Sequence, residues 1–197
     1  LIDGVTTNPS LMLKAGKDPR EVLKEISDIF PFHASVSAEV VGDSVEEMLE
    51  MADDYIEIGP NITIKVPLTP EGLKVCKDLS TDDVAVNVTL CFSTAQAILA
   101  AKAGATYVSP FVGRVNDQSF DGIKLIEEIS DVYATHKQKT QVLAASIRDV
   151  HQVASCFRVG ADICTIPSKI FSGMYKHILT DQGLKKFDED WSKLVGG

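Results

Sequence analysis

Hydrophobic positions along the chain follow two alternating rhythms. Short runs whose side chains switch character every second residue give way to longer runs with apolar residues three and four apart. The short runs read as strands: Gly4–Asn8, Ala34–Val41, Asn61–Pro67, Val84–Leu90, Ala105–Phe111, Gln141–Ser146 and Ala161–Ile166. The longer runs read as helices. One opens at Asp18-Pro19 and reaches about Phe30. Another opens at Asp43/Ser44, carries Val45, Met48, Leu49, Ala52, Tyr55 and Ile56 on one side, and stops at Gly59-Pro60. Thr69-Pro70-Glu71 opens a helix with Leu73, Cys76 and Leu79 in phase, and Ser93 begins an alanine-rich helix that ends at Gly104. Gly113–Gly122 reads as a polar loop. Further helices cover about Ile123–Ala134, Asp149–Arg158, the stretch from Pro167 to about Leu179, and an amphipathic Asp181–Leu194 with Leu184, Phe187, Trp191 and Leu194 on one side.

Strand and helix alternate with short connections, which predicts a parallel sheet covered by helices. An open, doubly wound sheet meets helices on both faces and needs both to be apolar. Here five strands are polar on one face: Thr6/Asn8, Ser35/Ser37/Glu39, Thr63/Lys65, Asn87/Thr89 and Ser109. The polar positions cluster toward the C-terminal strand ends, as in a barrel with a polar upper interior. The expected fold is an α/β (β/α)8 TIM barrel, one domain over residues 1–197 with its C-terminal helix at about 181–194. Such a barrel has eight strand–helix units, and seven are readable, so the first is expected before Leu1.

Asn61–Pro67 concentrates the chemistry. Ile62, Ile64 and Val66 share one face of this strand, and Thr63 and Lys65 share the other. A barrel enzyme keeps its site at the C-terminal strand ends. A lysine held there, away from water, loses its proton more easily and becomes a nucleophile able to form a Schiff base with a carbonyl substrate. Carbinolamine formation and dehydration need a proton donor and acceptor beside it. Glu39 faces the same way from the neighbouring strand, and a water held between Glu39 and Thr89 would relay protons. Asn8, Asn87 and Ser109 would hold substrate hydroxyls. Arg114 and Arg148 follow two strands on that same face, and two guanidiniums with a serine hydroxyl make a phosphate clamp. From the strand alone, Lys65 reads equally as a structural lysine reaching solvent. The two arginines read also as surface ion-pair partners, and Phe111 most simply as a core aromatic.

Composition narrows the partners. A net charge of −9 over 197 residues argues against nucleic acid and an anionic membrane surface. No apolar run reaches the length of a spanning helix. Cys76, Cys91, Cys156 and Cys164 lack metal-type spacing and read as free thiols of a reducing cytoplasm. The four histidines show no ligand spacing either, so no metal site is expected.

Five stretches, GVTTNPSL from Gly4, NITIKVPLTPEG from Asn61, NVTLCF from Asn87, AKAGATYVSPFVGR from Ala101 and LAASIR from Leu143, resemble the short transaldolases, a family that includes the fructose-6-phosphate aldolases. The resemblance runs almost from Leu1 to Trp191. It implies a (β/α)8 barrel and a class I Schiff-base mechanism without metal or organic cofactor. Residue by residue, Lys65 matches the Schiff-base lysine, and Glu39 and Thr89 match the pair that positions the catalytic water. Asn8 and Ser109 match substrate-hydroxyl contacts, with Thr6 in the same motif. Arg114, Ser146 and Arg148 match the phosphate-binding positions. Phe111 and Glu39 stand where the aldolase branch carries tyrosine and glutamine, which makes the chain resemble the transaldolase branch.

The implied reaction moves a dihydroxyacetone unit from sedoheptulose 7-phosphate to glyceraldehyde 3-phosphate in the pentose phosphate pathway. Fructose-6-phosphate aldolase activity is the nearest alternative. An inactive sugar-phosphate-binding barrel lacking its first strand is another, because the family carries a catalytic aspartate on that strand and Asp3 does not match it. The family's C-terminal helix packs across subunits in a ring, so a homo-oligomer, pentamer or decamer, is implied.

Overall fold

Each of the seven alternating stretches becomes a strand, and the seven lie in chain order in one parallel sheet. The computed structural model describes residues 1–196. The strands are β1 (Gly4–Thr6), β2 (Ser35–Glu39), β3 (Ile62–Pro67), β4 (Val86–Cys91), β5 (Tyr107–Pro110), β6 (Gln141–Ala144) and β7 (Ile163–Cys164). The helices are α1 (Pro9–Ala15), α2 (Pro19–Ile29), α3 (Val45–Ile56), α4 (Pro70–Thr81), α5 (Thr94–Lys102), α6 (Val112–Asp117), α7 (Gly122–Thr135), α8 (Val150–Arg158), α9 (Ser168–Gly173) and α10 (Ile178–Val195).

The sheet curls. Thr6 at the end of β1 and Thr165 just past β7 hydrogen-bond through their hydroxyls at 2.6 Å. No backbone ladder joins β1 to β7 among the described residues, so the sheet is a half-barrel whose outer strands meet through side chains. One face of it turns outward against the helices. Val36, Ile64, Val66, Val86, Val88 and Val108 are all fully buried there, packed with Met48, Val75, Cys76, Ala97 and Ile126 from the helices. Each such aliphatic side chain removed from water contributes about 1.5–3 kcal/mol. The other face turns inward and carries the polar set.

Helix starts follow the sequence signals. Asp18 accepts from the amides of Arg20 and Glu21 with Pro19 at the first helical position. Ser44 and Glu47 form a reciprocal capping box. Thr69, Ser93 and Asp149 cap α4, α5 and α8.

Three expectations change. β1 stops at Thr6, and the Asn8-Pro9 pair opens a helix, α1, because the Asn8 carboxamide accepts from Leu11 N at 2.9 Å. The expected polar loop at Gly113–Gly122 is helical over its first half, where α6 runs from Val112 to Asp117, and its last residue opens α7. The helix after Pro167 ends at Gly173, not near Leu179, and the terminal helix begins earlier, at Ile178. No residue of α10 is buried. No described helix is long and apolar enough to cross a membrane.

Candidate active site

The inward face is built by register. Glu39, Lys65 and Asn87 pair across β2, β3 and β4 as direct neighbours, so three polar side chains meet at one level. Lys65 is 6% exposed. Its Nζ donates to Glu39 Oε2 at 2.8 Å and to the Thr7 carbonyl at 3.2 Å. A buried ammonium is costly unless paired and hydrogen-bonded, and this one has both a carboxylate and a carbonyl.

Thr89 lies two residues beyond Asn87 on the same inward face of β4. Its Oγ1 is buried and has no hydrogen-bond partner among the described residues. The next residue, Leu90, has φ +59°, and the register between β4 and β5 shifts between Val88 and Cys91. A non-glycine residue in the left-handed region is strained, and such strain gathers at functional sites. The irregularity interrupts the β4–β5 ladder after Val88, with Thr89 and Leu90 inside it.

From Asn87 a hydrogen-bonded chain crosses the interior. Asn87 Nδ2 donates to Ser37 Oγ at 3.2 Å, and Ser109 Oγ donates to Asn87 Oδ1 at 2.7 Å. Ser35 and Thr63 share a further hydroxyl contact at 2.8 Å. Ser109 and Asn87 are thus brought together and hold each other. Thr6 reaches Thr165, and Asn8 is committed through its oxygen to the cap of α1.

Two grooves open at the C-terminal strand ends. One, of about 410 Å³, is lined by Thr7, Asn8, Met12, Glu39, Val41 and Tyr55, among others. The other, of about 580 Å³, is lined by Phe92, Arg114, Val115, Asp117, Phe120 and Arg148, with Gln118. The expected cation pair is therefore assembled. Arg114 lies over the Phe111 ring at 4.8 Å, and Phe111 packs against Phe92 at 5.5 Å, a cation–π contact that aims the guanidinium. Ser146, two residues past β6, has φ +59°. Gly113 N donates to Ser146 O at 3.0 Å. A Cβ on Gly113 would fall 2.3 Å from Ser146 O, 2.6 Å from Arg148 Nε and 2.9 Å from Ser146 Oγ, so only glycine lets these groups converge.

Sequence reasoning missed Thr7, whose carbonyl receives Lys65, and Asp117, which pairs with Arg148. A backbone acceptor leaves no residue signature. Asp117 had one signal, an acid three residues after Arg114 in a polar run.

A family model described as Transaldolase/Fructose-6-phosphate aldolase matches residues 1–197. The chain belongs to this family. A relative from Paracoccus denitrificans named "Probable transaldolase" is 53% identical over 193 residues, which is 98% of this chain and 88% of that one. One of the same name from Cereibacter sphaeroides is 53% identical over 193 residues, 98% and 87% of the two chains. A third, from Caulobacter vibrioides, is 48% identical over 192 residues, 98% and 88%. Membership brings the buried Lys65–Glu39 pair and the arginine-lined groove into a family of sugar-phosphate enzymes.

Proposed function

We propose that the chain is a transaldolase that moves a dihydroxyacetone unit from sedoheptulose 7-phosphate to glyceraldehyde 3-phosphate through a Schiff base on Lys65. The observation that carries this reading is the Lys65 Nζ, nearly closed off from solvent and 2.8 Å from Glu39 Oε2. Surface lysines gain nothing from such burial, and an amine that must attack a carbonyl gains a nearby base.

The chemistry then runs as follows. Lys65 passes a proton to Glu39, and the free amine adds to the ketose C2. Glu39, through a water shared with the unpartnered Thr89 hydroxyl, returns a proton to the C2 hydroxyl, which leaves as water and gives the iminium. Glu39, a carboxylate again, takes the C4 hydroxyl proton through the same water, the C3–C4 bond breaks, and its electron pair moves into the iminium to make an enamine. The aldose phosphate departs, the enamine attacks the acceptor aldehyde while Glu39 returns its proton to the new alkoxide, and hydrolysis of the resulting iminium frees Lys65. Asn87 and Ser109 hold substrate hydroxyls, with Thr6 and Asn8 at the rim and Phe111 walling the mouth. Arg114, Ser146 and Arg148 take the phosphate, so the extended ketose lies across the mouth from β3 toward β5 and β6.

Transfer, as opposed to release of free dihydroxyacetone, is favoured by Phe111 and Glu39 and by the names of the relatives. We read the curled sheet as the wall of a (β/α)8 barrel, and the chain as a single domain of it. The exposed Leu184, Phe187, Trp191 and Leu194 of α10 dock against a second copy in a ring, pentamer or decamer, and the reduced cysteines fit a cytoplasmic enzyme.

Borohydride reduction in the presence of fructose 6-phosphate tests the mechanism. A stable adduct on Lys65 by peptide mass mapping is expected, and protein recovered unmodified sinks it. Assays with and without an acceptor aldose phosphate separate transfer from release.

A further inference from the structure

The guanidinium of Arg148 already holds an anion. Its two terminal nitrogens donate to the two carboxylate oxygens of Asp117. Arginine makes the same two-pronged contact with carboxylates and with phosphates. The opposite, Nε edge lies against the backbone: it is the atom that a Cβ on Gly113 would meet at 2.6 Å. The accessible edge of the fork is therefore the one Asp117 occupies. Both side chains are about half exposed, 51% and 46%, where an ion pair adds little to stability. The Asp117 carboxyl is held below its ordinary range by its hydrogen bond to Arg148, with Arg114 acting in the same sense. It stays an anion between the two cations of the groove.

We propose that Asp117 is a resident counter-anion of this groove, which keeps Arg148 in place in the unliganded protein and gives up the fork to the phosphate of a sugar phosphate. The inference rests on the reading of Arg114, Ser146 and Arg148 as a phosphate clamp. Two anions cannot take the same two-pronged edge of the fork, and a carboxylate left beside a phosphate dianion repels it. Each binding event is thus an exchange, and the clamp is weaker than its two arginines alone would make it. The exchange also sets specificity. A dianion gains charge on replacing a monoanionic carboxylate, whereas a sugar acid with one carboxylate replaces like with like and gains nothing. Asp117 acts through Arg148 and positions it; it takes no part in bond making.

Inorganic phosphate is the probe, titrated calorimetrically at low ionic strength into the wild type, Asp117→Asn, Asp117→Ala and Arg148→Ala. Both Asp117 variants are expected to bind phosphate roughly tenfold tighter, and Arg148→Ala to lose binding. In steady-state assays Asp117→Asn should lower KM for a phosphorylated ketose and leave KM for its unphosphorylated analogue unchanged. Phosphate binding that is equal or weaker in both Asp117 variants, with Arg148→Ala still defective, overturns the counter-anion role and leaves the clamp standing. Phosphate binding unaffected by Arg148→Ala overturns the clamp itself.

Discussion

Thr6 and Thr165 hydrogen-bond through their side-chain oxygens at 2.6 Å, although 159 positions separate them. The contact joins the first strand to the last and marks how tightly the sheet has curled. The residue after Thr6, Thr7 just past β1, supplies the carbonyl that receives the Lys65 amine.

Removing that contact should loosen the curl. Thr165→Val keeps the side chain's shape and strands the Thr6 hydroxyl, so a loss of about 1 kcal/mol is expected. Chemical denaturation measures it as a lower midpoint at unchanged slope. An unchanged midpoint would mean that the curl is held by the ladders alone.

Glu39→Ala tests the base. Alanine neither accepts a hydrogen bond from Lys65 nor holds the relay water, so iminium formation should slow on the order of 10²–10⁴-fold. Single-turnover borohydride trapping with fructose 6-phosphate reads this step. Trapping at the wild-type rate would remove Glu39 from the mechanism.

Thr89→Val separates function from folding. The Thr89 hydroxyl is buried without a partner, and a desolvated, unpaired polar group costs about 1–3 kcal/mol. A methyl group in its place should leave the thermal midpoint unchanged or raised. Turnover should fall at the same time, because the relay water loses one of its holders. A variant both less stable and less active would instead assign Thr89 a structural role.

Alkaline pH should unfold the protein through its core thiols. Burial pushes Cys76 and Cys91 from the usual 9.0 up to about 12. Both stay neutral in the fold at a pH where the unfolded chain ionises. Stability is therefore full below about pH 9 and declines between 9 and about 12, by roughly 1.4 kcal/mol per pH unit for each thiol. Denaturation midpoints across this range check it. Cys76→Ala with Cys91→Ala should flatten the decline, and an identical slope in that variant would place the alkaline loss elsewhere.

How far the sequence reaches differs from residue to residue. Alternation along Asn61–Pro67 was enough to turn Ile62, Ile64 and Val66 toward helices and Lys65 inward, because a strand has only two faces. Capping residues announced α3 and α4, because unpaired helix amides need an acceptor nearby in sequence. α1 and α6 escaped notice. At seven and six residues they are too short to show a period, and both sit beside Pro or Gly, residues that usually signal turns. The bulge at Leu90 escaped as well, since nothing in a β-type run marks one left-handed residue.

The candidate site divides the same way. Residue types and strand phase, with the motif resemblance, were enough to name Lys65, Glu39, Thr89 and the two arginines. They could not tell that Glu39 would come within 2.8 Å of Lys65, that Asn87 would bridge Ser37 and Ser109, or that Arg148 would hold Asp117. Which way a side chain faces is a local matter of backbone geometry, repeated every second residue and written in the chain. Which side chains meet depends on the register between strands and on the curl of the whole sheet. Those are set by contacts among residues far apart in sequence, so only the tertiary structure decides them.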